Sequence, residues 1–145
     1  MHPRSVRSVG LLALTAMLVV ALSSCATTRD TPVVVLPNGY YLQPYEGTQS
    51  AIVKHGAKQP VVAPVAAYSV WQNVVTGAVG KVPPWTPLFA DDRDFKGGPS
   101  TQYFILHTRS GKLQTGLTEA DWRKDMQALG VPKDFAIYPP LPWHQ

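Results

Sequence analysis

Histidine, cysteine and clustered aspartate are the side chains of this chain best suited to acid–base, nucleophilic or metal chemistry. His55, His107 and His144 lie far apart, so no single helical turn or tight hairpin presents two of them together. There is no HExxH, Walker loop, GxSxG or Ser-x-x-Lys, the spacings that bring ligands, phosphate-cradling amides or a nucleophile and its base within reach. The run Asp91-Asp92-Arg93-Asp94 offers hard oxygen ligands of the kind calcium requires. With Asp92 and Asp94 at positions 1 and 3 of an EF-hand loop, Gly97 falls correctly at position 6. Lys96 and Tyr103 then occupy positions 5 and 12, where ligands are needed, and a solvated turn pairing with Arg93 and Lys96 is the expectation. His107 follows Phe104 and Leu106 near a strand end, a setting that suits a partly buried structural histidine. No metal or cofactor is expected.

The four tryptophans offer a different chemistry, that of contact. Trp122 fits the apolar stripe of a helix, whereas Trp71, Trp85 and Trp143 lie in or beside turns and proline runs. Exposed aromatics among prolines provide large contact area at low entropic cost. Together with Tyr138 they form the candidate interaction surface. The alternative is that Trp85 and Trp143 pin extended segments to a sheet.

The elements that must position these residues are short. Val33–Leu36 reads as a strand, Pro37-Asn38-Gly39 as a turn and Tyr40–Leu42 as the return, since Asn-Gly favours a tight hairpin. Ala51–Val53 suits a short strand. Val65–Trp71 and Val74–Val79 read as strands joined at Gln72-Asn73, with Gly77 and Gly80 marking a bulge or a close backbone approach. Lys81–Ser100 is a long connection of the length that is often functional. Thr101–Thr108, the turn Arg109–Lys112 and Leu113–Thr115 form a second clear hairpin. Thr118 then caps a helix with Asp121 at its third position, Leu117 staples onto Trp122, and Trp122, Met126 and Leu129 make one stripe ending at Gly130 and Pro132. The tail, with Pro139-Pro140-Leu141-Pro142-Trp143, suits a strap burying Phe135, Ile137 and Tyr138. The rival reading is an exposed polyproline II ligand.

The first 25 residues differ from all of this. Arg4 and Arg7 form a basic leader, and Leu11–Leu22 is apolar apart from Thr15. A helix of that stretch reaches roughly 18 Å, short of a hydrocarbon core of about 30 Å, and matches the hydrophobic region of a secretory signal. Leu22-Ser23-Ser24-Cys25 resembles the lipobox of bacterial lipoproteins with type II signal peptides. That resemblance implies acylation of the Cys25 thiol, cleavage before it, and a membrane tether. Ala26, where an aspartate would favour inner-membrane retention, implies passage to the outer membrane facing the periplasm in a Gram-negative host. An uncleaved membrane helix over Val9–Leu22, and ordinary secretion, are the competing readings, but neither accounts for leader, apolar core and lipobox in this order.

Removing the leader takes Arg4 and Arg7 out of the count, leaving eleven Lys and Arg against nine Asp and Glu, a net +2. These charges are interspersed and form no basic stripe, which argues against nucleic-acid partners. Cys25 is the only cysteine, so no internal disulfide can form. The expected organisation is a signal peptide (1–24), a lipidated cysteine and spacer (25–32), one α+β domain (33–133) and a proline-rich tail (134–145). The domain is expected to hold a small antiparallel sheet built from hairpins, with one C-terminal helix. The function expected is non-enzymatic binding of an envelope protein or peptidoglycan. The alternative is a small envelope hydrolase using His107 with an acid from the 91–94 loop.

Overall fold

The computed structural model describes residues 33–81 and 94–140. Val34–Leu36 (β1) turns through Pro37–Gly39 into Tyr40–Tyr45 (β2), which pairs antiparallel with Gln49–Lys54 (β3). Asn38 sits at φ 58°, the left-handed region that asparagine tolerates better than most residues. Pro44 lies inside β2, but pairing with β1 ends at Val34 opposite Leu42. Beyond that point β2 has one open side, where a missing donor is tolerated.

A second sheet runs in sequence order through Val65–Trp71 (β4), Val74–Val79 (β5), Gln102–His107 (β6) and Lys112–Leu117 (β7), all antiparallel. The helix Glu119–Ala128 (α1) follows. Alternate residues of β5 and β6 serve two separate cores. Val74, Ala78, Tyr103 and Ile105 pack with Trp122, Met126, Val131 and Ile137. Val75, Phe104 and Leu106 pack with Leu36, Tyr40, Leu42 and Ile52 of the three-stranded sheet. The molecule is therefore layered: helix, four-stranded sheet, three-stranded sheet. The central strands of the middle layer, β5 and β6, are covered on both faces, and this explains why they read as apolar runs instead of alternating.

Close approach in that layer has identifiable causes. Gly77 stands opposite Tyr68, and a Cβ there would strike the Ala67 carbonyl oxygen and lie 2.8 Å from Tyr68 Cα. The register slips between Val65 and Ala67, which sends both Ala66 and Ala67 toward the helix side. One polar group is buried between the helix and β6. The Thr76 hydroxyl accepts from Trp122 Nε1 at 2.7 Å and donates to the Phe104 carbonyl at 2.7 Å, so neither is left unsatisfied.

The helix begins as expected. Thr118 Oγ1 accepts from the Asp121 amide at 3.2 Å and donates to its carboxylate at 2.9 Å. Leu117 packs against the cluster that holds Trp122, and the ring of Trp122 stacks on Tyr103 with centroids 4.8 Å apart. Leu129 departs from expectation: it is exposed at the helix end, and Val131 takes the third buried place of the stripe after the chain turns back at Gly130.

The α+β class holds, with one architectural change. A single small sheet is expected from the sequence, whereas β1–β3 form their own layer. Hairpin patterns specify neighbours within a sheet, but they carry no information on which sheet a hairpin joins. Two devices lock the layers. Asn38 Nδ2 donates to Asn73 Oδ1 at 3.0 Å and to Thr108 Oγ1 at 2.8 Å, joining the β1–β2 turn to two chain reversals of the other sheet. The tail then closes the β4 edge. Tyr68 and Tyr138 exchange backbone hydrogen bonds of 2.9 and 3.1 Å, and Ser69 Oγ donates to the Ala136 carbonyl at 2.7 Å. Ile137 is buried and Phe135 half-buried, as a strap requires, while Tyr138 stays 47% exposed, contrary to expectation. It shares its face with Tyr68, opposite to the face occupied by Ile137.

Candidate functional site

The two faces of the three-stranded sheet differ, the inner one packed in the core and the outer one open except at Ala51, which is buried opposite Gln43. Tyr40 and Leu42 point into the core, so Tyr41, Gln43 and Tyr45 point outward by the period of two. Val35, Tyr41 and Val53 are cross-strand partners and form one row over this outer face. Val35 is 75% exposed. Beyond β3 the chain turns at Gly56 (φ 78°) and returns to pair Val61 and Val62 with Ile52. The segment from Gly56 to Pro60 thus forms a wall beside the sheet face. Between wall and face lies a groove of about 450 Å³, within the usual size range of ligand clefts.

Its lining divides into two ends. His55 and Lys58 supply the basic end, and no acid lines the groove among the described residues. Lys54 borders the groove at the strand end, but it pairs with Tyr40 and its ammonium lies 5.5 Å from the Tyr40 ring centroid, a cation–π contact on the core side of the sheet. The His55 ring packs tilted against Tyr41, 6.1 Å between centroids. At the other end the Tyr45 hydroxyl hydrogen-bonds to Glu46, and that acceptor, with the charge of Glu46, holds the Tyr45 pKa above the ordinary phenol value. Gln43, between the two tyrosines, presents an amide that both donates and accepts.

The residues singled out from sequence do not converge on one surface. Trp71 ends β4 on the helix side, half-buried and edge-on to Phe135 at 6.3 Å between centroids; its Nε1 is buried without a partner in the described residues. Tyr138 lies on the opposite side of the same edge. Trp85 and Trp143 lie outside the described residues, as do Leu22, Ser23, Ser24 and Cys25, and also Asp91 and Asp92. His107 closes β6 between Val74 and Lys112, half-buried, and Asp94 is exposed. Among the described residues no group of three or more His, Cys, Asp or Glu gathers as a metal site, and no helix is long and apolar enough to cross a membrane. Burial raises the Tyr68 and Tyr103 hydroxyls above their ordinary pKa. At Tyr103 the charge of Glu119 adds to this effect and Arg123 opposes it.

Sequence reasoning passed over the groove. Its only local signal is Tyr41-x-Gln43-x-Tyr45, one polar and aromatic face of a strand, and its wall carries no periodic pattern. No family model matches the chain, and no curated protein or solved structure is similar to it.

Proposed function

We propose that this chain is an exported lipoprotein, tethered through acylated Cys25, whose domain acts as a non-enzymatic binding module in the bacterial envelope. The groove on the outer face of β2 and β3 carries this reading. It is an open cleft with aromatic, amide and cationic side chains converging on it, and no nucleophile–base pair lies in it. The lipobox resemblance at Leu22–Cys25 supplies the tether. Seven residues lie between Cys25 and Val33, so covalent geometry keeps the start of the domain within roughly 29 Å of the anchored cysteine. That reach places the ligand close to the membrane, facing the periplasm if the tether sits in the outer membrane's inner leaflet.

The test has two arms in one strain set. Cells fed a labelled fatty acid should label the wild-type chain and leave Cys25→Ala unlabelled; label on that variant refutes the anchor. A photo-crosslinking residue placed at Tyr41 should yield adducts with an envelope component, whereas the same residue at Leu129, exposed on the helix layer, should not. Equal adduct patterns at both positions would refute the groove as the binding site.

A further inference from the structure

The geometry points to an acidic glycan chain as the ligand of the β2–β3 groove, a reading that rests on the groove being the binding site proposed above. Four observations bear on it together. First, Tyr41 and Tyr45 stand four residues apart on one strand face, roughly 13 Å along β2. Two aromatic faces at that separation offer consecutive platforms to the apolar faces of sugar rings. Second, Gln43 lies between them, with Gln59 on the facing wall. An amide can donate to and accept from the same ligand, which is what hydroxyl groups and acetamido groups require. Third, the basic side chains on the groove side, His55 and Lys58, lie at one end without an acid among them. The Glu46 carboxylate lies beyond the other end, against Tyr45. The ligand's anionic group is thereby directed to the Lys58 end and its neutral rings to the Tyr45 end. Fourth, the lining mixes polar and apolar surface in nearly equal parts, Val53, Ala57 and Pro60 lying beside the tyrosine rings, as the two-sided character of a sugar ring requires.

Other occupants fit less well. A peptide that binds by adding a strand needs an open sheet edge. The groove floor is a sheet face; the edge of β3 is engaged at Ile52 by the backbone of Val61 and Val62, and the open stretch of β2 beyond Leu42 carries Pro44, which has no amide to donate. An acyl chain would find Lys58, Gln43 and Gln59 in its path. Single-stranded nucleic acid also combines stacking with phosphate contacts, but the cations here occupy one end of the groove instead of tracking its length.

The test uses the full chain, purified from membranes in detergent, and two disaccharides of closely similar backbone. One carries a carboxylate, N-acetylglucosaminyl-N-acetylmuramic acid, and the other, N,N′-diacetylchitobiose, carries none. Titration calorimetry at low salt should show the acidic sugar binding about tenfold more tightly, and the preference should shrink as salt screens the basic end. Tyr41→Ala should weaken both sugars by about tenfold, in line with loss of one stacking platform. Lys58→Gln should weaken only the acidic one, by about three- to fivefold. Circular dichroism should show both variants folded, since both positions are on the surface; a fold lost on substitution is answered by Tyr41→Phe, which should keep binding both sugars. Isolated peptidoglycan and lipopolysaccharide vesicles, offered as separate pull-down baits, then distinguish the source of the acidic sugars. Equal affinity for the two disaccharides overturns the acidic assignment, as does tighter binding of a phosphate-bearing oligonucleotide. Protein adducts at Tyr41 in cells, with no affinity for either sugar or bait, overturn the glycan and leave the binding module standing.

Discussion

The two sheets of this molecule are built from similar material and lead opposite lives. In the four-stranded sheet β5 and β6 are sealed between helix and sheet, so Val74, Val75, Thr76 and Ala78 all lie buried along a single strand. In the three-stranded sheet β2 alternates, with Tyr40 and Leu42 2% and 1% exposed and Tyr41 between them partly exposed, while its neighbour β3 buries Ser50, Ala51 and Ile52 in succession. A strand covered on both sides is constrained at every position by packing. A strand covered on one side is constrained at every second position, and the free positions are open to other uses. The outer face of β2 and β3 is therefore where this fold can accommodate a ligand without loss of stability.

Four measurements can break or sharpen that contrast. Phe104→Ala removes a fully buried ring from between the sheets and should lower unfolding free energy by about 3–5 kcal/mol in denaturant titration. A loss under 1 kcal/mol would mean that the two sheets do not share a core. Asn38→Ala removes both hydrogen bonds that clamp the layers and forces alanine into the left-handed region, a loss of about 1–2 kcal/mol. Its amide exchange should quicken in β2 and β3 while β5 and β6 keep their protection, and uniform quickening would show that the layers open as one. Trp122→Phe keeps the stacking on Tyr103 but deletes the buried bond to Thr76, which should cost about 1 kcal/mol in a thermal or denaturant melt. Val35→Thr, on the open face, should change stability by no more than about 0.5 kcal/mol. A larger loss there would mean that the outer face is sealed after all.

The same contrast explains what could be read in advance. The β6–β7 hairpin and the helix announce themselves locally: Gly111 turns the chain, Thr118 caps, and Trp122 and Met126 repeat at helical spacing. Gly77 likewise signals backbone proximity, because nothing larger than hydrogen fits beside Ala67. The division into two sheets was not legible, since Val61–Val62 and Val74–Val75 have the same β chemistry whichever layer they join. Leu129 was misplaced because the helix ends one turn before the stripe does, and Val131 completes it from outside. The groove escaped notice for a related reason. Its wall, Gly56–Pro60, has no period, and its chemistry is assembled from two strands and a loop. Trp122 builds the core, as its helical spacing implies, and Trp71 leans on the strap.

The strap sets the order in which the molecule can be finished. Ile137 completes the core on the helix side, and Tyr138 closes the β4 edge across 69 residues of intervening chain. A polypeptide that emerges N-terminus first, from ribosome or translocon, brings these residues out after every strand has already appeared. Until then the central layer keeps an open border and a vacant place under the helix. A chain of this design reaches its finished packing only once its C-terminal strap has been delivered.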